Sequence, residues 1–383
     1  MKVAVVGYGT VGRSVYQMLK NAEGFTPGKV LMLPEFFTDA SFQTTDYNDI
    51  LNDKETAAVV ECITDAKCGY EYARAALEAG KHVVSSSKAM VAVYGPKLNK
   101  LAREKGVAFL FGAACGGSMP ILFALSQSRQ MDEVQHISGI LNGTTNYMLD
   151  AMQRKGCTYE AALKTAQKLG YAEADPTADV SGQDAQRKIM LGCAVSYGLL
   201  PVEGVDREGI ENMTSADVNH FAPKGLVCRL IAKGGKNEDG SIYACVEPTL
   251  FPKNAPEASV LDNNNLAKSL CKFNGALVMI GQGAGGDPTA SNVMRDLVNI
   301  ASGCRAFLPA DCKEGAAMND SRLNRYYVRL QEEDLALFPA EETEKDGSVY
   351  RLTTAPLSVS RMHRLAAEIR AAGRKVFFAA IAE

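Results

Sequence analysis

Asp184 and Lys188 stand four residues apart, so on a helix they share one face. Ile189, Met190, Leu191, Cys193 and Ala194 follow and are apolar nearly all round, which carries that helix into the interior. Were the pair exposed, it would be a helix salt bridge worth a few tenths of a kcal/mol. Lysine is rarely buried without a partner, and a buried lysine can have its pKa drawn towards neutrality and serve as acid or base. Proton transfer is therefore the first chemistry to consider. Glu173, Asp175 and Asp179 precede the pair, placing four carboxylates around Pro176, without the register of a calcium loop.

A second chemistry is written at the amino terminus. Gly7-Tyr8-Gly9-Thr10-Val11-Gly12 follows a valine-rich run, Lys2 to Val6, and precedes Val15, Met18 and Leu19 at helical spacing. A strand, then G-x-G-x-x-G, then a helix is the context of a dinucleotide fold. Gly7 permits the tight turn, Gly9 lets the backbone approach a pyrophosphate, and Gly12 lets helix and strand lie close. Residues 29–33 read as the second strand, with Glu35 beyond its end as the candidate for a ribose hydroxyl. No Arg stands beside Glu35, which leans towards NAD. Arg13 and Lys29 leave NADP open.

The elements that must position these groups alternate. Strands are expected at 57–63, 82–87 and 107–111, and helices at 70–80 and 96–105. Such alternation specifies a doubly wound parallel sheet with ligands at the carboxyl ends of its strands. Thr64, Ser86 and Lys88 lie at such ends; from position alone, Lys88 is either a site cation or a solvated edge residue. From Gly139 the text changes to Gly139-Ile-Leu-Asn-Gly-Thr-Thr-Asn-Tyr147, and residues 205–256 carry the signals of a mainly antiparallel sheet. A last glycine cluster, 281–286, closes a strand and opens a helix through Val293, Leu297 and Ile300.

Composition bounds the rest. With 41 Lys+Arg against 44 Asp+Glu the net charge is −3, and no basic stripe suits nucleic acid or a membrane surface. No apolar run reaches the roughly 18 residues of a membrane span, and the opening residues lack the pattern of a signal peptide. Ten scattered cysteines without a C-x-x-C pair suit a reducing compartment, so a cytoplasmic protein is expected.

Taken together, Gly7–Gly12, Ser85-Ser-Ser-Lys-Ala89, the 139–147 segment, Gly170-Tyr-Ala-Glu-Ala-Asp-Pro-Thr177, Asp184-Ala-Gln-Arg-Lys188 and Gly283-Ala-Gly-Gly-Asp-Pro-Thr-Ala290 resemble homoserine dehydrogenases, in that family's order and across residues 1 to about 305. The resemblance implies reversible hydride transfer between L-aspartate 4-semialdehyde and L-homoserine with NAD or NADP, in a homodimer joined through the sheet domain. It implies Lys188 as proton donor and Lys88 as a second essential lysine. Glu173, Asp184 and Asp179, with Asn142 and Thr144, are implied at the substrate. Tyr8, Thr10, Val11, Gly170, Gly283 and Gly285 would line the cofactor with the residues named above. The main-chain oxygens of Cys115, Gly117 and Met119 would hold a monovalent cation.

This chain departs from the family twice. Gly112 replaces the glutamate that supplies a charged ligand to the cation, and Ser87 replaces the usual Asn before Lys88. The fold expected is α/β: a Rossmann-type doubly wound domain at 1–135, completed by a helix at 288–303; an α+β substrate and dimerisation domain at 136–287; and a short α+β module at 319–383. That module reads as a reduced ACT-like unit with an acidic loop at 339–347, or equally as a packing or dimerisation tail. A related dehydrogenase of another small amino or oxo acid, and a nucleotide-binding regulatory paralogue without turnover, are the competing functions. The paralogue predicts loss of the acid–base residues, and all are present.

Overall fold

The computed structural model describes residues 1–382. Its contacts divide it into two compact units. One comprises Met1–Val134, Met190–Leu200 and Gly281–Glu314; the other comprises Gln135–Ile189, Pro201–Ile280 and the chain from Gly315 onwards.

The first unit holds a six-stranded sheet in the order Gln43–Thr44, Thr26–Leu31, Lys2–Val6, Thr56–Glu61, His82–Ser85, Phe109–Leu110, parallel throughout. Val3 to Val6, Val59, Val60, Val83 and Val84 are fully buried, which is why these strands read as apolar runs rather than alternations. The order reverses at Lys2–Val6, the point where such sheets open a crevice for ligands. The second strand begins at Thr26, not 29, because Thr26 and Pro27 already pair with Lys2 and Val3; Pro27 and Gly28 disguise that start. The helix expected from residue 96 begins at Lys88 and runs to Lys105 with Pro96 inside it. Its Ser87 cap accepts from the Met90 N–H, and burial of Met90, Val91 and Leu98 offsets the cost of the proline. Likewise the preceding helix is Ala66–Glu78, started by the Asp65 cap on Cys68 N–H at 2.7 Å.

In the second unit, Leu226–Lys236 and Ile242–Pro252 form a long antiparallel pair, with Leu226 opposite Pro252 and Lys236 opposite Ile242. Val134–Ile140 lies antiparallel beside the first of them, followed by Asn264–Cys271 and, at the end of the sheet, Gly275–Gln282. On the other side Ile242–Pro252 pairs in parallel with Phe377–Ile381, so the carboxyl-terminal residues extend this sheet. Their strands stand in the order Phe377–Ile381, Tyr326–Gln331, Val349–Thr354, Ala340–Asp346, all antiparallel. Numbered along the chain this is 4-1-3-2, the ferredoxin-like arrangement, with its first helix cut to the 3-10 turn Glu332–Leu337 and its second present as Val359–Ala371. Tyr326, Val328, Leu352, Met362, Ile369 and Phe378 give it a core of its own.

The acidic stretch expected as a loop is the strand Ala340–Asp346, exposed at every residue. An edge strand with no buried face has no alternation to read, and its charges discourage pairing with another edge. Buried ionic contacts fasten these carboxyl-terminal elements to the rest of the unit: Arg329 Nε to Asp217 at 2.8 Å, Arg370 to Glu208 at 2.8 Å, and the group around Glu247. Glu247 is fully buried and accepts from Lys233 at 3.1 Å, Asn324 at 3.2 Å and Tyr326 at 3.3 Å, with His363 Nε2 also at 3.3 Å. Among the described residues, no helix is long and apolar enough to cross a membrane.

Candidate active site

The glycine turn of the first unit is shaped for a phosphate. Gly7 has φ +94°, and a Cβ on Gly12 would lie 2.0 Å from the Gly7 carbonyl oxygen, so neither position admits a side chain. Gly9 caps the helix Thr10–Asn21 without a side-chain bond, no acid follows in the first turn, and no atom lies within 4 Å of where its Cβ would stand. Open space at uncapped helical N–H groups fits the pyrophosphate of a dinucleotide. Thr10 and Val11 form the first turn. Tyr8 packs its ring 6.0 Å from Tyr16 and 5.8 Å from Phe42. Glu35 is exposed in the 3-10 turn Pro34–Phe36, and Thr64 is exposed beyond Thr56–Glu61. In the same unit Gly285 caps the helix Gly286–Ala301, again without a side-chain bond, with Gly283 buried just before it.

Lys88 is half-buried in the first helical residue after Ser87. A cation at a helix amino terminus opposes the dipole, so stability alone does not account for it. What holds the turn before it is Glu61, which lies inside the strand expected at 57–63 and was given no role there; in the structure it ends the strand Thr56–Glu61. Its carboxylate accepts from the Ser85 hydroxyl at 2.5 Å and the Ile63 N–H at 2.6 Å, while its carbonyl accepts from Ser86 N–H at 3.0 Å. Ser85 Oγ in turn accepts from Ser87 N–H at 3.0 Å. Burial pushes the Glu61 carboxyl up to about 7, against those two donors. The folded protein then keeps a proton there that the unfolded chain releases near the ordinary 4.5, so this group's contribution to stability declines as pH rises from about 4.5 to about 7. Urea unfolding at pH 5 and pH 8 is expected to show Glu61→Gln flattening that decline by up to a few kcal/mol. An unchanged pH slope would place the titration elsewhere, as at Asp296, which burial pushes up to about 8.

The 3-10 turn Gly112–Ala114 leads into the loop that ends at Met119. Asn292 Nδ2, on the helix Gly286–Ala301, lies 2.9 Å from the Gly117 carbonyl and 3.1 Å from those of Gly112 and Met119. Asp296 Oδ2 accepts from Gly112 N–H at 2.6 Å. A cleft of about 480 Å³ in this unit is lined by Arg103, Phe123, Asn299 and Arg305 among others, and contains none of the expected residues.

In the second unit the strand Val134–Ile140 passes through Leu141 into the helix Gly143–Lys155, capped by Asn142. Asn142 Oδ1 accepts from Thr145 N–H at 2.9 Å, while its Nδ2 donates to Asp179 at 2.7 Å and Asp184 at 3.0 Å. Thr144 Oγ1 lies 2.5 Å from the Tyr171 carbonyl and 3.2 Å from Asp179 Oδ2. Lys188 Nζ is 2.8 Å from Asp184 Oδ2 and donates to the Leu141 carbonyl at 2.6 Å. Asp184 and Lys188 are each 6% exposed, so this is the buried pair rather than the solvated one. Burial, and secondarily Asp184, push the Asp179 carboxyl up. Five expected residues thus share one network. Gly170 and Glu173 stand outside it: Gly170, with φ +76°, follows the helix Tyr159–Lys168, and Glu173 is exposed, its carbonyl accepting from Gln167 at 3.2 Å. Asn146, quoted within the 139–147 segment but given no role there, gathers the carbonyls of Val260, Asp262 and Asn264 at 3.0–3.2 Å.

Two family profiles match: "Homoserine dehydrogenase, NAD binding domain" over residues 7–112 and "Homoserine dehydrogenase" over 120–298. The homoserine dehydrogenase of Pseudomonas aeruginosa is 34% identical over 358 residues, 87% of this chain and 82% of that protein. That of Synechocystis is 36% identical over 322 residues, covering 78% and 73%. A crystal structure of a homoserine dehydrogenase from Thiobacillus denitrificans matches with TM-score 0.88 at 28% identity, covering 100% of this chain and 98% of that one. With a nicotinamide-binding fold, a buried lysine–carboxylate pair and these relatives, the chain belongs to the homoserine dehydrogenase family and is an oxidoreductase of amino-acid biosynthesis.

Proposed function

We propose that Lys188 is the proton-transferring residue of the reversible reaction between L-aspartate 4-semialdehyde and L-homoserine. The observation that carries this is its buried Nζ, fixed by Asp184 at 2.8 Å and the Leu141 carbonyl at 2.6 Å. The chemistry that a bound nicotinamide supplies is the hydride. Hydride addition to the aldehyde carbon leaves an alkoxide oxygen; Lys188 holds the proton that oxygen needs and takes it back in the reverse direction. Asp184 and Asp179, with Glu173, offer negative charge to the amino group of the substrate, and Asn142 and Thr144 hold the first two in place. Lys88 supplies positive charge from the first turn of its helix.

We infer a preference for NAD. Supporting it, no basic residue lies in the turn Pro34–Phe36, Lys29 Nζ is engaged by the Ser41 carbonyl at 2.9 Å, and Arg13 folds back onto the carbonyl and ring of Tyr8. Free cysteines at all ten positions support a cytoplasmic location. Exposed Leu277, Val278 and Ile280 on the end strand Gly275–Gln282 support a homodimer built on that edge. The test is absorbance of the reduced nicotinamide with L-homoserine and either cofactor, on protein first passed over a sizing column. Homoserine-dependent reduction, faster with NAD, from a species of twice the 41.1 kDa chain is expected. Equal or faster reduction with NADP would overturn the cofactor preference, and elution at the mass of one chain would overturn the dimer.

A further inference from the structure

We infer that in this chain the side-chain amide of Asn292 takes the place of a monovalent cation at the 112–119 turn, gathering its carbonyl oxygens without an ion. The inference goes beyond the function proposed above, and its main readout does not depend on turnover.

Three observations carry it. Asn292 is 1% exposed, and its Nδ2 stands within 2.9–3.1 Å of the carbonyl oxygens of Gly112, Gly117 and Met119. Two of these, Gly117 and Met119, are oxygens that a cation at this turn would use. An amide nitrogen brings two hydrogens and a partial positive charge; among the described residues it is the donor to the Gly117 carbonyl, while those of Gly112 and Met119 also accept from the Cys115 N–H at 3.3 Å and the Ile121 N–H at 2.9 Å, so the protein itself supplies donors to all three. The same device recurs at Asn146, where one amide gathers three carbonyls of residues 260–264.

Second, the space that a side chain at position 112 would enter is filled. A Cβ on Gly112 would lie 2.8 Å from Asp296 Oδ1, 3.1 Å from Oδ2 and 3.2 Å from Asn292 Oδ1. A side chain at position 112 would require the ends of Asp296 and Asn292 to shift, so in this chain those two side chains hold the space. Third, the turn is held by further contacts of the protein itself. Asp296 accepts from Gly112 N–H, Arg295 donates to the Ser118 carbonyl at 3.0 Å, and Ser118 N–H donates to the Gln282 carbonyl at 3.0 Å. Against these stands Asp296 Oδ1, which is buried without a hydrogen-bond partner and could face an ion. That competing occupant is an outcome of the test.

Thermal melting of the whole protein, with Na⁺ or K⁺ titrated against tetramethylammonium chloride at constant ionic strength, separates the two. The expected result is a Tm indifferent to either ion; a saturable rise specific to Na⁺ or K⁺ would mean that an ion binds and would overturn the inference. Asn292→Ala is expected to melt lower in tetramethylammonium and to regain part of the loss on adding Na⁺ or K⁺. Unchanged melting, or a loss that neither ion restores, would assign the amide no more than packing and sink the replacement. Should the alanine variant not fold, Asn292→Ser, which keeps a shorter donor, is read in the same way.

Discussion

Exchange of Lys188 for alanine is expected to lower kcat for homoserine oxidation by roughly 10²–10⁴-fold, the range that a positioned acid–base group contributes. Reduced nicotinamide should still bind with nearly native affinity. The protein has no tryptophan, so the cofactor's own fluorescence is the suitable reporter of binding. Because Lys188 donates to the Leu141 carbonyl and pairs with the buried Asp184, its removal also takes away the cation beside a buried carboxylate, which keeps the Asn142 amide as a donor. A cost of about 3–5 kcal/mol in stability is therefore expected alongside, and rates must be taken well below the variant's Tm. Asp184→Asn provides the contrast: it keeps a hydrogen-bonding group opposite Lys188 but removes the charge offered to the substrate's ammonium, so KM should rise more than kcat falls. Lys188→Ala turning over within tenfold of the parent would remove the lysine from its assigned role.

The second large effect concerns stability. Glu247→Ala is expected to destabilise the fold by about 3–5 kcal/mol, because it leaves Lys233 without its buried partner and removes the acceptor shared by Asn324, Tyr326 and His363. Burial pushes the Glu247 carboxyl up, but Lys233 and His363 outweigh it and hold the group down at about 2. The sign follows: the unfolded chain takes up a proton near the ordinary 4.5 while the folded one resists until about 2, so this stabilisation is present above about 4.5 and is lost as pH falls through that window. Urea midpoints for the parent and Glu247→Gln between pH 6 and pH 3 should diverge at the high end and converge at the low end. Equal midpoints at pH 6 would show that the ion pair does no more than offset its own desolvation.

Much of the candidate site's geometry was legible because it is local. The glycine turn specifies itself through backbone conformation, and Asp184 and Lys188 through helical spacing. The apolar residues after them correctly announced burial. The starts of the strand read at 29–33 and of the helix read at 96–105, and the nature of 339–347, were misread for reasons that are also local. Proline and glycine mask a strand start, a serine cap extends a helix backwards over a proline, and an exposed edge strand carries no period. The partners of Glu61, Asn146 and Asn292 were invisible for a different reason. Each works through partners far along the chain, such as Ser85 for Glu61 and the Gly112–Met119 turn for Asn292, and no spacing rule connects residues 112 and 292.

The sequence by itself thus determined the class of chemistry: a parallel sheet opening on a glycine turn, a buried lysine beside a carboxylate, and a near-neutral charge balance. Local propensity and periodicity suffice for these, since each depends on residues within one or two turns of one another. The tertiary structure decided what surrounds them. It set Asn142 between two carboxylates, extended the second sheet with the carboxyl-terminal strands, and filled the space beside Gly112 with side chains from a helix some 180 positions later. Buried polar groups must find partners wherever packing brings them, and packing is a property of the whole chain.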